Sequence, residues 1–187
     1  MAFVAAFETS CAALAQLPAD GIPEVALLGR SNVGKSSLLN TLAGCRDLAR
    51  ASRTPGRTRL LNLFLVNAGR LRLVDCPGYG YARAARSERA AWGALVDSYL
   101  TERVPLHLVV LLVDAGLDPQ PLDLEMAAWL RARGRKLQLV ATKWDRISGN
   151  LRPLARRRLQ AAFAVPPLPF SSLTGEGRSP LHHLLLL

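Results

Sequence analysis

Between residues 29 and 37 the chain reads Gly29-Arg30-Ser31-Asn32-Val33-Gly34-Lys35-Ser36-Ser37. A glycine, four residues and then Gly-Lys-Ser is the spacing of a phosphate-gripping loop, provided that a buried strand leads in and a helix leads out. Both are legible here: the apolar run Val25-Ala26-Leu27-Leu28 precedes the loop, and Ser37-Leu38-Leu39-Asn40-Thr41-Leu42 follows with a helical pattern. Glycines lack a Cβ, so the backbone can wrap closely around an anion with its N–H groups turned inward. Lys35 would reach the β- and γ-phosphates and the Ser36 hydroxyl would ligate Mg²⁺. The positive end of the helix dipole, near Lys35, adds to the attraction. The loop does not separate ATP from GTP, whose phosphates are the same.

The rest of the chain supplies the partners that such a unit needs. An extended edge strand is expected over Ala2–Glu8, the first buried strand over Glu24–Leu28 and a helix to about Ala43. Leu48–Arg59 has no hydrophobic period, is rich in arginine (Arg50, Arg53, Arg57 and Arg59, with Arg46 just before) and reads as a basic loop. Leu60–Val66 and Arg70–Val74, joined by Asn67-Ala68-Gly69, form a hairpin signal, so one antiparallel edge is expected on the sheet. Ser87–Glu102 has Trp92, Leu95, Val96 and Tyr99 on one helical face, and Leu106–Val113 is a continuous apolar strand. A helix over Pro121–Arg133, a strand over Leu137–Ala141, a helix over Asn150–Phe163, a strand over Leu168–Phe170 and a helix from Ser179 complete the alternation. The expected fold is α/β in three layers, a mostly parallel central sheet with helices on both faces, in one domain over 1–187. Ligand loops in such a sheet lie at the carboxyl ends of the strands.

The 187 residues carry a net charge of +10, and lysine occurs only at 35, 136 and 143, so arginine supplies nearly all the positive side. That excess points to an anionic partner larger than one nucleotide, RNA first, or else to a genome rich in arginine codons. Cys11, Cys45 and Cys76 have no metal-ligand spacing and read as buried thiols of a reducing cytosol. No basic region precedes the apolar N-terminal residues, so no secretory signal is expected, and Leu184–Leu187 is too short to span a bilayer.

Each remaining polar motif sits just past an expected strand. Asp75-Cys76-Pro77-Gly78 offers a carboxylate that can hold Mg²⁺ through water and a Gly78 N–H that can report on a γ-phosphate. Thr142-Lys143-Trp144-Asp145 offers a carboxylate that can accept both guanine N1–H and the 2-amino group, and a lysine stem that can lie over the base. Adenine lacks that donor pair. The Ser171-Ser172-Leu173 backbone can donate to guanine O6, and a Thr58 hydroxyl can complete the Mg²⁺ shell. Arg152, Arg156, Arg157 and Arg158 are candidate RNA contacts or a solvated helix face. A P-loop kinase and a nucleotide-regulated division scaffold are the rival readings; base selection and association with ribosomal subunits separate them.

Taken together the motifs resemble those of the EngB family of bacterial ribosome-biogenesis GTPases. The likeness rests on GRSNVGKSS from Gly29, SRTPGRT from Ser52 to Thr58, DCPGYGYA from Asp75 to Ala82, TKWD from Thr142 and FSSLTGEG from Phe170. It implies a Mg²⁺-dependent GTP-hydrolysing switch, cytoplasmic and monomeric without membrane insertion, that assists large ribosomal subunit assembly and is tied to division and septation. It implies nucleotide contacts from Gly29 through Ser37 (Arg30, Ser31, Asn32, Val33, Gly34, Lys35 and Ser36 between them) and from Gly56, Arg57 and Thr58. Further contacts are implied at Asp75, Cys76, Pro77 and Gly78, at Thr142, Lys143, Trp144 and Asp145, and at Phe170, Ser171 and Ser172. Lys35, Thr58 and Gly78 carry the reaction in this reading; Ser36 and Thr58 ligate Mg²⁺, with Asp75 behind water, and Asn32 resembles the asparagine that ligates K⁺ in potassium-dependent GTPases. The residue after Gly78 is Tyr79 where Ras-type GTPases have a water-orienting glutamine, so slow intrinsic hydrolysis is expected. Thr142 stands where many GTPases have asparagine; its hydroxyl can still brace the phosphate loop. The leucine-rich tail from Ser179 is shorter than the family's closing helix.

Overall fold

The computed structural model describes residues 3–48, 60–79 and 86–186, the side chains of 86–92 excepted. The expectations for the basic loop at 49–59, with Gly56, Arg57 and Thr58, and for the Trp92 side chain lie outside the described residues.

The elements run β1 (Ala5–Cys11), β2 (Glu24–Gly29), α1 (Lys35–Ala43), β3 (Leu61–Val66), β4 (Leu71–Asp75), α2 (Arg86–Glu102), β5 (Leu106–Asp114), α3 (Pro121–Ala132), β6 (Leu137–Thr142), α4 (Arg152–Phe163), β7 (Leu168–Pro169) and α5 (Arg178–Leu185). The strands form one sheet in the order β1-β3-β4-β2-β5-β6-β7. Only β3 runs against the others, because it alone is antiparallel to both its neighbours. β2 and β5 read as unbroken apolar runs because helices cover them on both sides. Along β2, Val25 and Leu27 face one core with Leu38, Leu39 and Leu42 of α1 and Leu181 and Leu185 of α5. Ala26 and Leu28 face the other, with Val96 and Tyr99 of α2, Ala127 and Leu130 of α3, and Leu159 and Phe163 of α4. Three layers follow directly from that alternation.

The expected hairpin is present. Its connection takes Asn67 and Ala68 at φ +48° and +54° and Gly69 at +95°, which turns β3 back along β4 in the register Val66 to Leu71. β1 lies outside this hairpin at the sheet edge and extends three residues beyond the expected end, to Cys11, because its pairing with β3 continues to Leu61. The helix expected from Asn150 begins at Arg152, after a single tight turn at Gly149–Leu151. At the last loop, Gly177 (φ +83°) precedes α5; a Cβ there would lie 2.0 Å from the Pro169 carbonyl oxygen, so only glycine lets α5 start so close to β7. No helix among the described residues is long and apolar enough to cross a membrane.

Candidate functional site

The carboxyl ends of β2, β4, β5, β6 and β7 converge on one rim. β2 stops at Gly29, whose φ of +155° and crowding both exclude a side chain: a Cβ would lie 2.8 Å from the Leu112 carbonyl oxygen and 2.8 Å from Val33. The chain then turns through Asn32 (φ +64°) and Gly34 (φ +111°) into α1, whose first bond runs from Leu38 N–H to the Gly34 carbonyl at 2.8 Å. This is a strand, a loop with inward backbone and a helix N-terminus, the geometry that holds a phosphate. The Lys35 amine folds back over the loop and donates to the Gly29 carbonyl at 3.2 Å. Ser36 and Ser37 lie on the first turn of α1, Ser37 exposed; Val33 is buried beneath the loop.

Thr142, at the end of β6, donates its hydroxyl to the Val33 carbonyl at 2.7 Å, with the Val113 carbonyl 3.0 Å away. The hydroxyl therefore does what asparagine would do at this position, tying the base loop to the phosphate loop. Lys143 follows at φ +55°, and its amine is paired with Asp114 of β5 at 2.7 Å. Asp145 accepts from the Ser171 hydroxyl at 2.6 Å. The two base loops are also joined through their backbones, Trp144 N–H to Phe170 carbonyl at 3.1 Å and Phe170 N–H to Ala141 carbonyl at 2.8 Å. A cleft of about 210 Å³ opens between the phosphate loop and the segment that links β5 to α3, lined among others by Arg30, Asn32, Asp114, Gln120 and Lys143.

The structure does not turn every expected residue toward the rim. Trp144, Phe170 and Val33 are buried core side chains, so their part is to hold the loops. Cys76 is fully buried, its N–H is spent on the Leu27 carbonyl at 3.1 Å, and burial pushes its thiol far up from the ordinary range. Cys11 is buried as expected, but Cys45 is exposed, because it lies just past the C-terminus of α1. Of the three amides expected to face guanine O6, Ser171 N–H is spent on the Glu176 carbonyl and Leu173 N–H on the Ser171 hydroxyl. Neither of these two amides is open to that role. Asp75 ends β4, in register with Leu27 of β2, and Gly78 lies against the phosphate loop: a Cβ on it would be 3.0 Å from Ser31 N and 3.1 Å from Lys35 Nζ.

Three side chains escaped the sequence reading. Asp114 looked like the end of an apolar strand, yet it holds Lys143. Asp123 is 3% exposed and accepts from the Tyr79 hydroxyl at 2.6 Å; Gln120 accepts from Arg30 at 3.0 Å. Nothing in the spacing signals these partners, which come from separate elements.

Comparison with known proteins decides the family. A family model described as "50S ribosome-binding GTPase" matches residues 24–143. A "Probable GTP-binding protein EngB" of Pelotomaculum thermopropionicum is 51% identical over 178 residues, covering 93% of this chain and 89% of its own. One of Clostridium perfringens (strain SM101) is 44% identical over 170 residues, covering 89% and 86%. This chain belongs to the EngB family. Its fold is also that of a crystal structure of a probable GTP-binding protein engB, with a TM-score of 0.71 at 23% identity over 86% of this chain and 95% of that one. The G domain of the Thermotoga maritima FeoB iron transporter superposes with a TM-score of 0.58 at 26% identity, over 88% and 96%. As an EngB-family chain it is a GTP-binding, GTP-hydrolysing enzyme.

The donors present suit Mg²⁺. Among the described residues no group of three or more His, Cys, Asp or Glu side chains forms a metal cage. Mg²⁺ needs none, since it keeps several waters and is held by one or two protein oxygens together with substrate phosphates. The Ser36 hydroxyl and the Asp75 carboxylate, on neighbouring elements at the phosphate rim, are hard oxygen donors of that kind.

Proposed function

We propose that this single GTP-binding domain works as a Mg²⁺-dependent switch that assists assembly of the large ribosomal subunit in the cytoplasm, as a monomer, and thereby supports normal division and septation. One observation carries the nucleotide half of this reading. The Thr142 hydroxyl locks the base-reading segment onto the phosphate loop, so Asp145 and Lys35 address the two ends of one ligand. Lys35 and the loop amides hold phosphate charge, and Lys143 covers the base while Asp145 accepts its two donors. Ser36 would hold Mg²⁺, with Asp75 behind water, and the ion would supply positive charge to the phosphates. The Thr58 hydroxyl would complete that shell, and the Gly78 N–H would meet the γ-phosphate. Hydrolysis is slow without an activator, and Asn32 would hold a K⁺ whose charge stands in for the arginine finger used elsewhere; equal turnover in Na⁺ and K⁺ buffers would dispose of that ion.

Nucleotide titration tests the base assignment. Asp145→Asn should weaken GDP and GTP by about ten- to a hundredfold, the worth of a charge-assisted pair. It should also gain xanthine nucleotides, whose 2-carbonyl accepts from the new amide. Unchanged guanine affinity would end the assignment.

The ribosomal half is supported by the net charge of +10 and by the description of the matching family. Arg156 and Arg157 lie exposed on α4, whereas Arg152 is paired with Glu176 at 3.2 Å and Arg158 with Asp118 at 2.6 Å. The first two are therefore the better RNA contacts. Co-sedimentation with large subunits should require the GTP state and weaken steeply with salt, as counterion release dictates; salt-insensitive or nucleotide-blind association would refute it.

A further inference from the structure

We propose that Asp123 is a positioning residue for GTP hydrolysis: acting through the Tyr79 hydroxyl, it fixes Gly78 against Ser31 and Lys35. The inference rests on the assignment of Gly78 and Lys35 to the terminal phosphate.

The chain beyond β4 runs beside the phosphate loop as far as Tyr79, where Arg30 and Tyr79 form a parallel bridge. The bonds that hold it there are modest. Tyr79 N–H meets the Gly29 carbonyl at 3.4 Å; Ser31 N–H and hydroxyl meet the Tyr79 carbonyl at 3.1 and 3.4 Å. The side chain makes the short bond, 2.6 Å from the hydroxyl to Asp123 Oδ1. Hydrogen bonds to a carboxylate are shorter and roughly twice as strong as neutral ones.

The acceptor is firmly founded. Asp123 lies in the first turn of α3, where the helix dipole favours a negative charge, and it is nearly fully buried. Gln120, three residues earlier at the N-cap of α3, accepts from Arg30 of the phosphate loop. The start of α3 is thus a common abutment for the phosphate loop and for the segment carrying Gly78. Gly78 has little room to move: its Cβ position is 3.0–3.1 Å from Ser31 and from the Lys35 amine. Where Ras-type enzymes place a glutamine that faces the attacking water, this chain places a tyrosine that faces inward and anchors its neighbour.

Asp123 also borders the cleft beside the phosphate loop, and Tyr79 borders a second hollow of about 310 Å³ between α2 and α3. The pair therefore forms the partition between the two.

The test is a set of variants of the full chain, each assayed for binding of GDP, for binding of a non-hydrolysable GTP analogue, and for turnover. Tyr79→Phe keeps the ring and removes the donor. It should lower kcat about tenfold and weaken the analogue several-fold, the scale of one charge-assisted bond, while GDP affinity stays within about twofold. Asp123→Asn keeps an acceptor oxygen and should recover most of the activity. Should the single phenylalanine variant fail to fold with an orphaned carboxylate, Tyr79→Phe with Asp123→Leu removes both partners together and should show the same selective loss. Equal weakening of GDP and analogue means that the pair is merely structural and overturns the proposal, as does wild-type turnover in the double variant. A Lys35→Ala variant that binds the analogue normally would instead bring down the site assignment, and the proposal with it.

Discussion

A hydroxyl at Thr142 bridges two loops that are 109 positions apart in the chain. Its proton serves the Val33 carbonyl, and no aliphatic side chain of equal size can replace it. Thr142→Val should leave that buried carbonyl without its donor, at a cost of about 1–3 kcal/mol. Isothermal titration should show GDP and GTP weakened to a similar extent, because the loop that grips the shared phosphates loses its brace. Base preference should not change, since Asp145 keeps its own bond to Ser171. Thr142→Asn should restore affinity through its amide donor. If the valine variant instead altered the choice among bases, the hydroxyl would have to be read as part of the base pocket.

At the opposite end of the sheet from the site, strand β4 carries an arginine where an apolar residue is expected. Arg72 is fully buried and holds Glu8 of β1 at 2.7 Å, Asp20 at 2.7 Å and Glu24 of β2 at 3.5 Å. Glu24 is equally buried and also meets Arg103 at 2.6 Å and the Tyr99 hydroxyl at 3.0 Å. The cluster thus joins the sheet edge, the central strand and the end of α2. Truncating one partner of a buried pair leaves an uncompensated charge, so Arg72→Met should destabilise the fold by about 3–5 kcal/mol in urea unfolding. The Asp20 carboxyl is held down to about 2 by its hydrogen bond from Arg72. A carboxyl whose folded value is depressed adds stability above its ordinary range and loses it as pH falls toward the folded value. The unfolding midpoint should therefore drop between about pH 4 and about pH 2, and the Arg72→Met variant should show a shallower drop. A wild-type slope retained in that variant would place the acid sensitivity elsewhere.

For the molecule as a whole, the apolar runs and turn residues were enough to order the elements, because burial on both faces leaves a continuous signal in β2 and β5, and burial on one face leaves a signal every three to four residues in the helices. The phosphate loop was legible for a similar reason: its chemistry is backbone chemistry, set by glycines close together in the chain. Asp145 was picked out from the sequence by its chemistry, one carboxylate suited to two adjacent donors on guanine, and its bond to Ser171 came only from the fold. Three-dimensional proximity decided the rest. That Lys143 leans on Asp114, that Cys76 and Phe170 turn into the core, and that Tyr79 is bonded to Asp123 depend on which strands and helices lie side by side. Local sequence cannot encode a partner that only the closing of the sheet brings within 3 Å, whereas it does encode each strand, each turn and the cradle for an anion.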